Sequence, residues 1–340
     1  MQREDDIHVS AASYALERSL GRALRNHKRA LKKLKSDPVH DFRVALRRCR
    51  SLAEGFSAID PDPVWRRLRK AAKRIQRGMS DLRDVQVLQN WLKPLKLVSG
   101  PAGKALASHF EKKERVARKE ARTALNSFHR KRWKRWSRRL PARAELIPVS
   151  ERRLAQLVLE QLNRVVELHQ QWSKQASAEN WHELRVTVKR FRYMVESFLP
   201  EKSEAWSTQL EQAQDLLGEG HDLDVLHALL LKLGRKKSLR KTNVTPSLRR
   251  VDAEARKRRK EYVLLISEAA QRNGTETRIH VAESSPPTIW NRWRAELEAL
   301  ASVNRRGGEE LSSSTTRRAL RARAPANQYP GRPRRISSAR

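Results

Sequence analysis

The chain repeats itself. Val39-His40-Asp41-Phe42-Arg43-Val44-Ala45-Leu46-Arg47-Arg48-Cys49-Arg50 lines up with Trp181-His182-Glu183-Leu184-Arg185-Val186-Thr187-Val188-Lys189-Arg190-Phe191-Arg192, an offset of 142 residues. Further on, Arg83-Asp84-Val85-Gln86-Val87-Leu88 matches His221-Asp222-Leu223-Asp224-Val225-Leu226 at an offset of 138. Two matches in the same order at nearly the same offset describe the duplication of a unit of about 140 residues. Whatever this chain folds into must be something that one such unit can build twice.

The periodicity says what the unit is made of. From about Ile7 to Ser302 apolar residues recur at spacings of three and four, and strand-like alternation is missing. An all-α fold follows, with about four helices in each half. Breaks are expected at Asp37-Pro38, Asp60-Pro61-Asp62-Pro63, Ser99-Gly100-Pro101, Pro148, Pro200, Gly218–Gly220 and Pro286-Pro287. Asp62 before Pro63 reads as an N-cap with proline at the first helical position, and Ser36 or Asp37 before Pro38 offers the same signal. The expected divisions are a first half at 1–145, a second at 146–303 and a tail at 304–340. The tail has ten Arg, no Lys and little hydrophobic periodicity, so it is expected to be disordered.

Charge then narrows the function. Lys and Arg number 74 against 38 acids, a formal charge of +36. The tail accounts for +8 of this (ten Arg less Glu309 and Glu310), which leaves +28 on the rest. Solubility needs roughly 2–8 units in a small domain, and a larger excess destabilises the compact state by self-repulsion. A polyanionic partner is the expected reason for it. Cys49 is the only cysteine, which excludes a disulfide framework or a thiolate metal site within one chain. The opening MQREDDIHVS has no apolar run, and no stretch approaches the roughly 20 apolar residues of a spanning helix. A soluble cytoplasmic protein with no membrane partner is expected.

On a helical wheel Phe42, Ala45, Leu46 and Cys49 share the core side of the first motif. His40, Arg43, Arg47 and Arg50 form a separate stripe, and His182, Arg185, Lys189 and Arg192 repeat it. Such a stripe runs about 15 Å along its helix. Guanidinium grips phosphate oxygens through a planar fork and stays charged, so successive phosphates of an extended polymer fit these donors. Arg66, Arg69, Lys70, Lys73 and Arg77 make a second basic stripe opposite Val64, Leu68, Ala71 and Ile75. Arg115, Arg118, Lys119 and Arg122 make a third, whereas Trp206–Leu217 in the second half has no basic residue. The first half is therefore expected to hold the more positive surface.

Asp81-Leu82-Arg83-Asp84 and His221-Asp222-Leu223-Asp224 invite a metal reading. A metal site needs several converging ligands, and Arg83 replaces the histidine in the first copy. Asp84 and Asp222 are instead expected to cap a helix or to pair with arginines of the motif helix. No phosphate loop and no nucleophile–base pair stands out, so no enzyme, cofactor or metal is expected. Trp133 and Trp136 within Lys131–Arg139, like Trp290 and Trp293, read as helix packing with a basic rim rather than as platforms for bases.

The two motif copies resemble the CHAD family, the histidine-containing α-helical domains. The resemblance rests on His40–Arg48 with its repeat, on Leu82–Leu88 and on Gly220–Val225, and spans roughly residues 8–300. It implies two four-helix bundles related by a pseudo-twofold, with basic residues lining a central groove or pore that binds inorganic polyphosphate. Carried onto this chain, the binding residues are His40, Arg43, Arg47, Arg50, His182, Arg185, Lys189 and Arg192, joined by the Arg66–Arg77 stripe. Binding of this kind would place the protein on polyphosphate granules. Nucleic acid, held by the same basic surface and the Arg-rich tail, is the alternative partner.

Overall fold

The computed structural model describes residues 3–235, 243–271 and 288–302, and among these the chain is helical with no strand. Six helices precede residue 146: α1 (Arg3–Lys32), α2 (Ser36–Ile59), α3 (Pro63–Arg77), α4 (Ser80–Leu92), α5 (Gly100–Asn126) and α6 (Arg130–Glu145). Five more follow among the described residues: α7 (Glu151–Lys174), α8 (Ala178–Phe198), α9 (Pro200–Gly234), α10 (Thr245–Gln271) and α11 (Ile289–Ser302). The fold is all-α, with more helices on either side than the four expected.

One difference explains part of that count. The stretch after α2 divides at Gly78-Met79 into α3 and α4, whereas its counterpart after α8 continues as one helix of 35 residues. Gly218–Gly220, expected as a break, lies inside α9. Gly220 serves packing instead. A Cβ there would stand 2.7 Å from Trp181 Nε1, and that indole donates to the Leu217 carbonyl at 3.1 Å. Glycine inside a helix costs about 1 kcal/mol relative to alanine; here it makes room for a fully buried tryptophan.

The other breaks that fall on described residues mark helix ends. Asp62 caps α3, its carboxylate accepting from the Val64 N–H at 2.8 Å, with Pro63 opening the helix. The start of α2 differs from expectation. It begins at Ser36, its cap residue is Lys35 without a side-chain cap bond, and Pro38 sits within the first turn, where a missing N–H goes unnoticed. The expected break at Pro286-Pro287 and the tail at 304–340 lie outside the described residues.

Packing brings the two motif helices together. α2 buries Phe42, Ala45, Leu46 and Cys49, the face read from the wheel, and α8 buries Trp181, Leu184, Val188 and Phe191. α8 packs against both α1 and α2, and Gly55 leaves room on α2 for the ring of Phe198. Among the described residues there are two apolar clusters, a large one and a smaller one formed by α4, α5, α9 and α10; both draw residues from either side of residue 145. The described residues up to Ala301 form one compact unit. Trp133, Trp136, Trp290 and Trp293 are all buried, as their packing role requires. No described helix is long and apolar enough to cross a membrane.

Candidate anion-binding cavity

With their apolar faces turned into the core, α2 and α8 present their basic faces to a common cavity of about 330 Å³. α2 contributes Arg43, Arg47 and Arg50, and α8 contributes Arg185, Lys189 and Arg190. Gln76 at the end of α3, Asp84 on α4, and His221 and Asp222 on α9 complete the wall, with Glu54 at the α2 side. Six basic side chains thus face three carboxylates.

The arginines differ in what they already hold. Arg43 donates to the Gln76 carbonyl at 2.8 Å and to Ser80 Oγ at 3.2 Å. That carbonyl belongs to the last turn of α3 and also accepts from the Met79 N–H at 3.2 Å, so Arg43 adds a charged donor to the helix end. Arg50 donates to Gln76 Oε1 at 2.7 Å. Arg47 and Arg185 make no hydrogen bond to any described residue, and the Nε of each is buried and unpartnered. Burial first, then Arg47, holds the Arg43 guanidinium down at about 10. Burial also lowers Arg185, with Asp222 opposing and Arg47 adding to the effect. The Lys189 ammonium lies well below its ordinary value because it is buried and because Arg185 and Arg47 stand near. Like charges crowded into a partly desolvated site have an energy that added negative charge relieves.

Asp84 and Asp222 lie within α4 and α9, so neither caps a helix. Burial raises both, against the pull of Arg43 on Asp84 and of Arg185 on Asp222, which is pushed up to about 6. They face the motif arginines across the cavity without closing a direct ion pair among the described residues. The histidines enter as neutral groups. His182 lines the cavity with its ring 4.5 Å from that of His221. Burial lowers His182; burial, followed by Arg185, holds His221 at about 3. His40 does not line the cavity, and burial with Arg83 and Arg47 beside it lowers its pKa too.

Other residues singled out by sequence stand elsewhere. Arg192 bonds Glu196 at 2.8 Å and approaches Glu211 at 3.5 Å, so the fourth position of the second stripe is occupied by acids. Its counterpart Arg50 does line the cavity. The neighbouring pair is reversed: Arg48 is held by Glu196 at 3.1 Å, while its counterpart Arg190 reaches the cavity. On α3, Arg66, Lys70, Lys73 and Arg77 are exposed and do not line it; nor does Arg69, which stands 3.5 Å from the lining residue Glu54. Arg115, Lys119 and Arg122 are exposed on α5, away from the cavity wall. Sequence reading missed Arg190, although its alignment with Arg48 was visible, and missed Gln76, which carries no charge to mark it.

The family model of the CHAD domain matches residues 14–231, more than half of the chain. The chain belongs to the CHAD domain family. That family is associated with polyphosphate binding in general. Solved structures agree on the fold. The crystal structure of the CHAD domain from the plant Ricinus communis is 19% identical, covers 86% of this chain and 91% of its own, and superposes with a TM-score of 0.53. PptA from Streptomyces chartreusis is 16% identical, with 77% of this chain and 96% of its own covered and a TM-score of 0.52. Among curated proteins none matches.

Proposed function

We propose that this CHAD protein binds linear inorganic polyphosphate in the cavity between α2 and α8 and does so without turning it over. One observation carries the reading: Arg47 and Arg185, one from each motif helix, line the same cavity, make no hydrogen bond among the described residues and each keep a buried Nε without a partner. A buried polar group without a partner is costly, and more so when charged. Phosphate oxygens would satisfy both donors and offset the repulsion among Arg43, Arg47, Arg185 and Lys189. A space of this size takes a thin chain but not a base-paired duplex, whose major groove alone is about 12 Å wide. Arg47, Arg185 and Lys189 would hold the chain, Arg50 and Arg190 would flank it, and the exposed cations of α3 and α5 would attract its free ends. Asp84 and Asp222 would act as repulsive elements that tune affinity rather than as a base. In a cell this activity would place the protein on cytoplasmic polyphosphate granules.

The test is titration of the full chain with long-chain polyphosphate at near-physiological salt, with excess duplex DNA or RNA as competitor. Arg47→Ala combined with Arg185→Ala should weaken binding by at least about a hundredfold, since two charge-assisted contacts of about 1.5–3 kcal/mol each are lost. Undiminished binding by that variant, or displacement of polyphosphate by duplex, would overturn the reading. Phosphate release on adding magnesium or manganese would show turnover instead of binding.

A further inference from the structure

We infer that the outward face of α6 is a second anion-binding surface, suited to the phosphate backbone of duplex nucleic acid. Eight of the sixteen residues of α6 are basic, and Glu145 is its one acid. Two of the cations are structural. Arg143 forms a fork to Asp60 at 2.7 and 2.9 Å, and Arg130 donates to the Leu24 carbonyl at 2.9 Å. Lys131, Lys134, Arg135, Arg138 and Arg139 are different: all are exposed, and together they line a depression of about 320 Å³. None of the five makes a side-chain hydrogen bond or ion pair among the described residues.

Basic helices of this protein differ in how far they are neutralised: the exposed cations of α3 stay largely unpaired, whereas those of α10 meet acids. On α10, Arg258 alone is paired with Glu219, Glu254 and Glu261. The α6 cations have no such acids, and the helix that carries them is fixed in place because Trp133, Trp136 and Leu140 root it in the core.

Geometry chooses the ligand. From Lys131 to Arg139 the cations span about 12 Å at 1.5 Å rise per residue, and a duplex presents a phosphate every ~1.7 Å of its axis. A broad, solvent-open depression meets such a wide array of phosphates, whereas a single thin chain is better enclosed by the cavity between α2 and α8. Single strands are gripped by bases stacking on aromatic rings. Both tryptophans of this helix lie beneath the cations, 1% and 8% exposed, so no platform is offered. Recognition would therefore be independent of base sequence.

The deciding experiment compares the full chain with its Lys134→Gln, Arg135→Gln, Arg138→Gln variant, whose fold is checked by circular dichroism. Each is titrated with a short mixed-sequence DNA duplex between about 50 and 200 mM salt. Loss of three phosphate contacts should reduce the slope of log affinity against log salt by about 2.7 and the affinity at least about tenfold. Polyphosphate affinity should stay within about twofold, and the cavity variant Arg47→Ala, Arg185→Ala should keep its duplex binding. The tail is present in every protein compared, so the difference reports on α6. An unchanged slope would overturn the inference. So would a parallel loss of polyphosphate affinity, or tighter binding of an unstructured single strand than of the duplex.

Discussion

Arg43 and Arg47 stand one turn apart on α2 and both face the cavity, yet they do different jobs. Arg43 already ties α2 to the end of α3 through Gln76 and Ser80, while Arg47 holds nothing among the described residues. Arg43→Ala should therefore lower both the melting temperature and polyphosphate affinity, and Arg47→Ala only the affinity, which paired thermal melts and titrations would separate. Asp222 sets the pH response. Its carboxyl is held at about 6 by burial, against Arg185 and Lys189. Above that value it is ionised and repels a polyanion; below it the repulsion is gone and bound polymer favours the proton. Polyphosphate affinity should thus rise as pH falls from about 7.5 to 5.5, with proton uptake on binding. Asp222→Asn should bind more tightly at pH 7.5 and show a flatter profile. His221, already held at about 3, contributes nothing to that window. A profile unchanged by Asp222→Asn would remove this carboxylate from the site.

The contact between α8 and α9 turns on Gly220, against which the Trp181 indole lies. Gly220→Ala adds a methyl where a Cβ would meet that ring at 2.7 Å, and overpacking of this kind costs about 1–3 kcal/mol. We expect a lower melting temperature, and weaker polyphosphate binding as well because His221 and Asp222 follow directly in the same helix. Denaturant melts and titration of the same variant check both. This position also marks where sequence reading reached its limit. Gly218–Gly220 looked like a break because glycine is a poor helix former, but tertiary packing of one tryptophan overrode local propensity. Heptad-like spacing was enough to show the buried faces of α2 and α8 and hence which arginines turn away from the core. It did not by itself separate the arginines that meet acids. Arg192 and Glu196 are i,i+4 neighbours on α8 and legible in the sequence, but Glu196 reaches Arg48 and Glu211 reaches Arg192 only once α2, α8 and α9 are packed. Gln76 was invisible for a related reason: its carbonyl matters because α3 ends there, in a first half whose counterpart helix runs on unbroken.

Those local facts combine into one property of the folded chain, a large positive charge that packing does not neutralise. The cavity takes three cations from each motif helix, and α6 adds five unpaired ones on the outside. With +36 on the chain, self-repulsion opposes the compact state, and salt should relieve it. The ligand-free protein is therefore expected to melt at a higher temperature in about 0.5 M salt than in about 0.05 M, since the Debye length shrinks from above 10 Å to a few ångströms over that range. Polyphosphate should produce the opposite dependence. It binds the folded state, which alone assembles Arg47, Arg185 and Lys189 in one place, and at a hundred times its dissociation constant it should add about 2.7 kcal/mol. That gain must shrink as salt weakens the binding, so melting temperature with polyphosphate should fall with added salt while melting temperature without it rises, and the two curves should converge. Thermal melts across a salt series, with and without polymer, measure this directly. Parallel curves would mean that the polymer does not act through the charges packed into this fold.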